Sequence, residues 1–345
     1  MNIALCEYAE KKEYTAGNKA RTDAVSILVQ NGYRHVPLFN CKSGHVHIMF
    51  QILISCIKTI FLARKNDTVF MQYPYYPFMV NKVLIQVLCI GRRIKKYRIG
   101  LLIHDSMGLR NINNKKSSSS DQVMQDEVEL LDRVDFVICH NDRMIDEFHK
   151  AGGNGDYRNL GPFDYLYGGK LASIPDFKEQ KTIIIAGNLS QEKCGYVYQL
   201  SNMIKNCKFN LYGVGYENIA QDRVNYNGSF APEELIEHLN GHFGLVWDGE
   251  SCETCSGAFG EYLLYNNPHK FSLYLAAGMP LIVWSKSALA DYVKENNIGI
   301  CVESLLELDD LFLNITELQY EEMRNNVMQV REEIIKGEHL GDVLY

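Results

Sequence analysis

The stretch "YNNPHKFSLYLAAGMPLIVWS", Tyr265 to Ser285, decides the fold. Phe271, Leu273, Tyr274 and Leu275, then Ala276 and Ala277, follow helical spacing, and Gly278 and Pro280 close the helix. The run "LIVW" behind it is short, apolar and β-branched, as a strand covered on both faces requires. Upstream, "HFGLVWDG" (His242–Gly249) reads the same way. Strand, helix, strand in that order calls for a crossover connection, which joins parallel strands.

The same alternation extends in both directions. "KTIIIAGNLS" and "FNLYGVG" read as strands, and "APEELIEHLN" and "SALADYVKENN" as helices. In the first half "NIALC", "RHVPLF", "TVFMQYP", "RIGLLIHD" and "DFVICHN" are strand-like and separated by helical patterns. The fold class expected is therefore α/β, with two Rossmann-like domains facing across a cleft. Residues 161–180 contain Gly and Pro without periodicity and read as the junction. The expected domains are 1–165 and 166–325, with 326–345 a C-terminal helix packing back on the first domain.

The 345 residues are 46% hydrophobic and 22% charged, enough for two ordinary cores. A formal net charge of -7 gives no nucleic-acid signature. "GRRIKKYR" (Gly91–Arg98) is a basic exception. Ten scattered cysteines, mostly inside apolar runs, read as buried thiols of a cytoplasmic protein. Cys252 and Cys255 form a lone Cys-x-x-Cys without a second pair, so no metal is expected there. No secretory signal is visible. The greasiest segment, Ile48–Ala63, contains Gln51 and Lys58 and falls short of a membrane span; a buried amphipathic helix is expected.

Ligands of open α/β sheets bind beyond the carboxyl ends of the strands. Asn267, His269, Lys270 and Ser272 crowd the start of the helix quoted above. Helix N–H groups plus a lysine can cradle an anion, and the site is expected at the surface of the cleft. Gly187, Asn188, Ser190 and Lys193 form a second such turn. Tyr212 and Gly213 in "YGVGYEN" can form a stacking wall for a base, or Tyr212 can be a core aromatic. In "WDGESCETCSGAFGEY" the small residues, Gly257 among them, let backbone approach a ligand. The carboxylates of Asp248, Glu250, Glu253 and Glu261 suit sugar hydroxyls. On the first domain Asp105, beside His104, ends a strand and can serve as a general base, or as a helix cap. Gly17, Lys19 and Arg21 open a helix and can contact a donor phosphate or an acceptor. "NNKKSSSS" (Asn113–Ser120) reads as a loop over the acceptor. Asp-x-Asp, the usual pair for a divalent cation in sugar transfer, is absent.

The blocks "AGNKARTDA", "LIHDSMGLR", "IIAGNLSQEKC", "LYGVGYEN" and "FGLVWDGESCETCSGAFGEYLLYNNPHKFSLYLAAGMP" closely resemble bacterial β-1,6-galactofuranosyltransferases of O-antigen and capsule assembly. More loosely they resemble the glucosyltransferase 3 family that extends sugars on serine-rich adhesins. The resemblance runs from about Ala16 to about Val302. It implies a GT-B fold, a UDP-sugar donor on the C-terminal domain, an acceptor on the N-terminal domain and no metal or other cofactor. It implies Lys270 as a diphosphate ligand with Asn188 nearby, Tyr212 against uracil or ribose, and Asp105 as the base. Lys270 stands about where general retaining GT-B enzymes have the second Glu of Glu-x7-Glu. The implied reaction is inverting transfer of β-galactofuranose from UDP-galactofuranose. The implied acceptor is a saccharide on a polyprenyl diphosphate, which would bring "GRRIKKYR" to an anionic membrane as a peripheral contact. A homo-oligomer is compatible with the chain. Alternatives are glucosyl or galactopyranosyl transfer from a UDP-hexose, a UDP-sugar 2-epimerase, and a non-catalytic partner subunit.

Overall fold

The apolar runs picked out in the sequence are strands sheltered on both faces. Ile3–Cys6, Phe136–Cys139, Phe243–Val246 and Leu281–Trp284 are buried along their whole length. The structure is a computed structural model, and it describes residues 1–7, 16–38, 45–111, 120–217 and 219–345. The expected loop "NNKKSSSS" lies outside the described residues, apart from Ser120. The chain divides into two units. The first comprises Met1–Lys11, Ala20–Gly161 and His339–Tyr345; the second comprises Lys12–Lys19 and Pro162–Glu338.

The first half of the chain runs β1 (Ile3–Cys6), α1 (Ala16–Gln30), β2 (Arg34–Pro37), α2 (His45–Leu62), β3 (Thr68–Tyr73), α3 (Met79–Lys95), β4 (Arg98–Ile103), α4 (Met107–Asn111), α5 (Ser120–Leu131), β5 (Phe136–Cys139), α6 (Asp142–Lys150) and β6 (Tyr157–Asn159). The strands pair in the order β2-β1-β3-β4-β5-β6, all parallel. The order reverses between β1 and β3, which makes that gap the switch point where ligands favour such sheets.

The second half repeats the plan. Its elements are β7 (Thr182–Asn188), α7 (Gln191–Cys194), α8 (Leu200–Met203), β8 (Lys208–Val214), β9 (Val224–Tyr226), α9 (Pro232–His238), β10 (Phe243–Val246), α10 (Gly257–Tyr262), α11 (His269–Ala276), β11 (Leu281–Trp284), α12 (Ala290–Glu295), β12 (Gly299–Val302), α13 (Leu308–Asn314), α14 (Glu317–Ile334) and α15 (Glu338–Val343). The parallel order is β12-β11-β10-β7-β8-β9, so the switch lies between β10 and β7.

Two contacts seat α11 on this second sheet, and a third ties it to α14. A Cβ on Gly244 would lie 2.2 Å from the Tyr274 ring, so only glycine in β10 lets that ring lie on the sheet. The Tyr274 hydroxyl then accepts from the Ala186 N–H of β7 at 2.8 Å. At the other end of α11, Arg331 of α14 donates to the Ala276 carbonyl at 2.8 Å, a cation where the helix dipole is negative. Helix α14 thus packs within the second unit, while His339–Tyr345 belong to the first, where Arg158 donates to the Val343 carbonyl.

Helix α2 departs from the buried helix expected. Ile52 and Cys56 face the core, but Phe50, Leu53, Ile54, Ile57 and Phe61 are exposed.

Candidate active site

At the switch of the second sheet, the turns after β7 and β10 are tied together. Gly249 N–H donates to the Lys193 carbonyl at 2.8 Å, and Tyr196 N–H to the Gly249 carbonyl at 3.3 Å. The Cys194 thiol donates to the Asn188 carbonyl at 3.1 Å and approaches Asp248 Oδ1 at 3.9 Å. Asn188 folds its own turn by accepting from Ser190 N–H at 3.0 Å. Gly187 (φ +125°) and Gly213 (φ +144°) face each other in register across β7 and β8. A Cβ on Gly213 would stand 1.8 Å from the Gly187 carbonyl oxygen, so glycine is obligatory there.

Lys270 enters this switch from the first turn of α11. Its Nζ donates to Asp248 Oδ1 at 2.7 Å and to the Trp247 carbonyl at 2.9 Å. Burial alone would lower the pKa of this ammonium; the Asp248 carboxylate more than reverses that and holds it above its ordinary value. The expectation of a surface lysine is therefore corrected. Its side chain is 10% exposed and that of Asp248 6%, and Asp248 Oδ1 is engaged by the lysine. An ammonium has three protons, and these two hydrogen bonds use two of them. In the same segment Asn266 Oδ1 and Ser272 Oγ are buried without a hydrogen-bond partner.

His269 does not add positive charge to this helix start. Its ring stacks on Tyr165 (5.0 Å between centroids, 27° between planes). Burial, and then the Lys19 ammonium, push its pKa down to about 3, so the imidazole is neutral. Lys19 belongs to the same cluster: it donates to the Leu166 carbonyl at 2.8 Å and lies 4.7 Å over the Tyr165 ring. The structure thus groups Lys19 with His269 in the second unit.

The remaining predicted residues of this unit scatter around the switch. Tyr212 is buried, its hydroxyl accepting from Asn240 N–H at 3.3 Å, so its ring belongs to the core. Next to that turn Tyr216 stacks on Tyr198 (5.3 Å, 26°), an aromatic surface that the sequence reading missed. Lys193 lies 5.6 Å over the Phe259 ring. Glu253 is exposed, Gly257 (φ +70°) has open space where a Cβ would point, and Asn267 is buried. Cys252 and Cys255 are buried thiols whose pKa values burial raises.

In the first unit Arg21 of α1 spans the switch between β1 and β3. It donates to Glu7 Oε1 at 2.8 Å and to the Pro74 carbonyl at 2.7 Å. It is thus a strut between two strand ends; Gly17 sits in the first turn of the same helix. One strand over, His104 and Asp105 follow β4. His104 Nε2 meets Gln72 Oε1 at 2.5 Å, and Asp105 pairs with Arg110 at 3.0 Å while staying part-exposed. The cap of α4 is Ser106, which accepts from Leu109 N–H at 3.1 Å, not Asp105. Beneath this loop lies a carboxylate absent from the sequence reading. Glu127 of α5 is wholly buried and accepts from Tyr73 Oη, Ser106 Oγ, Met107 N–H and Gly108 N–H at 2.5–2.9 Å. Burial raises its pKa and these four donors pull it back, with burial the stronger.

Two all-parallel α/β units, each with its polar groups at a switch point, match solved structures along their whole length. The chain covers 100% of itself and 99% of Anabaena Alr3699/HepE in complex with UDP, with a TM-score of 0.61 at 12% identity. For the sucrose-phosphate synthase of Thermosynechococcus elongatus the values are 99% and 98%, 0.66 and 12%. The fold is that of a GT-B glycosyltransferase. Family models described as glucosyltransferase 3-like, N-terminal domain and C-terminal domain, match residues 2–161 and 183–345. The β-1,6-galactofuranosyltransferase WbbI of Escherichia coli (strain K12) is 36% identical over 337 residues, 95% of this chain and 93% of that protein. The chain belongs to the glucosyltransferase 3-like family of glycosyltransferases.

Proposed function

We propose that the chain is an inverting hexosyltransferase that moves β-galactofuranose from UDP-galactofuranose to a saccharide acceptor. The full-length 36% identity to a β-1,6-galactofuranosyltransferase carries this reading. The second unit takes the UDP-sugar. Its diphosphate meets the third N–H of Lys270, the first turn of α11 and the turn of Asn188, Ser190 and Lys193. The uracil lies on the Tyr198–Tyr216 surface. The hexose hydroxyls meet Glu253 and the backbone near Gly257.

The first unit takes the acceptor, a sugar carried on a polyprenyl diphosphate. Asp105, fixed by Arg110 and by the loop that Glu127 anchors, accepts the proton of the attacking acceptor hydroxyl. The hydroxyl oxygen bonds to the anomeric carbon as the bond to UDP breaks. Lys270 stabilises the charge that gathers on the leaving diphosphate. Glucosyl transfer is the second reading, because the matching family models carry that sugar in their description.

Release of UDP from purified protein with a synthetic galactoside acceptor tests both. Release with UDP-galactofuranose and acceptor, and not with UDP-glucose or UDP-galactopyranose, is the result expected. Release with UDP-glucose alone moves the chain to the second reading.

A further inference from the structure

The apolar face of α2 has no counterpart in sugar transfer. Phe50, Leu53, Ile57 and Phe61 recur at three- and four-residue spacing and are exposed, Phe61 at 77%. They form one stripe along the helix. The stripe continues onto α3. A Cβ on Gly91 would lie 2.6 Å from Ile60, so the C-terminal halves of α2 and α3 run in close contact, and Ile94 of α3 is 73% exposed beside it. Scattered exposed leucines need no explanation, but a contiguous large patch does.

Charge identifies the occupant. The two helices, His45–Leu62 and Met79–Lys95, contain no Asp or Glu, in a chain of net charge -7. Lys58 of α2 and Arg93 of α3 are exposed, as are Arg64, Lys65 and Lys96 just past the helix ends, and Lys95 is half-buried. Arg92, by contrast, is neutralised by Asp135 at 2.7 Å. We infer that the α2–α3 face docks on an anionic lipid bilayer. The apolar stripe enters the interface and the exposed cations meet the headgroups, with the helices lying in the membrane plane. A spanning role is not available, since no helix among the described residues is long and apolar enough to cross a membrane. A second copy on this face is disfavoured because a two-fold contact sets this cationic, acid-free pair of helices against its own copy. The basic run "GRRIKKYR" is one part of this surface.

Co-sedimentation of the full chain with vesicles tests the inference, and no donor or acceptor enters the assay, so its failure leaves the transferase reading intact. Wild type should bind phosphatidylglycerol-containing vesicles, bind phosphatidylcholine vesicles more weakly, and loosen as salt rises. Ile57→Ser with Phe61→Ser should weaken binding by roughly tenfold or more with an unchanged circular dichroism spectrum. Lys58→Glu with Arg93→Glu, a change of surface charge alone, should weaken it independently. Absence of wild-type binding, or binding that neither variant changes, overturns the inference. So does a wild-type dimer in sedimentation velocity that the serine variant splits, which assigns the face to a second copy.

Discussion

Lys270 Nζ and Asp248 Oδ1 stand 2.7 Å apart, and both side chains are almost closed to solvent. The pair joins the end of β10 to the start of α11 at the switch of the second sheet. Removing one partner of such a pair leaves the other charge buried and costs about 3–5 kcal/mol. Lys270→Ala should therefore lower the melting temperature as well as UDP affinity. Lys270→Met with Asp248→Asn should recover much of the stability and none of the UDP affinity. A double variant that binds UDP like wild type in calorimetry would remove Lys270 from the diphosphate site.

Asp105→Asn keeps the shape and much of the contact with Arg110, and withdraws the base. The turnover rate should fall on the order of 10²–10⁴-fold while UDP affinity stays unchanged. Full turnover in this variant would assign the proton to another group.

Glu127 shows how that loop is held. Glu127→Gln turns an amide N–H₂ toward one of the two backbone N–H groups, of Met107 or of Gly108, that need an acceptor. A loss of roughly 2–4 kcal/mol is expected, with faster hydrogen exchange over 104–110. An unchanged exchange profile there would mean that Glu127 does not position the Asp105 loop.

His269 and His140 are both buried, with burial the main cause pushing their pKa values down to about 3 and about 4 from 6.5. The unfolded chain protonates these rings near pH 6.5 and the folded chain does not. Their contribution to stability is complete above pH 6.5 and is lost as pH falls toward 3–4. His269→Gln should flatten the fall of melting temperature between pH 6.5 and 4. An equally steep fall in the variant would mean that His269 titrates freely.

Strand and helix periodicity made both sheets legible, because a parallel strand must be apolar on both faces and its crossover helix on one. The glycine turns at Gly187 and Gly213 were legible for a similar local reason: only glycine accepts their φ. The partners of charged residues were not legible. Nothing in a 22-residue separation marks Asp248 as the counter-ion of Lys270, and Glu127 reaches Ser106 from a different helix. Tyr212 lies near the end of β8 and Tyr216 just past it, and nothing in the sequence separates the buried ring from the half-exposed one. Helix α2 misled because its periodicity identifies two apolar faces without saying that one stays uncovered.

The most direct test is the product itself. The protein would be incubated with UDP-galactofuranose and a synthetic galactoside, and the new linkage assigned by NMR. A β-galactofuranosyl residue, formed with stoichiometric UDP, is the result this account predicts. An α-linked product, or transfer confined to a pyranose donor, would contradict it.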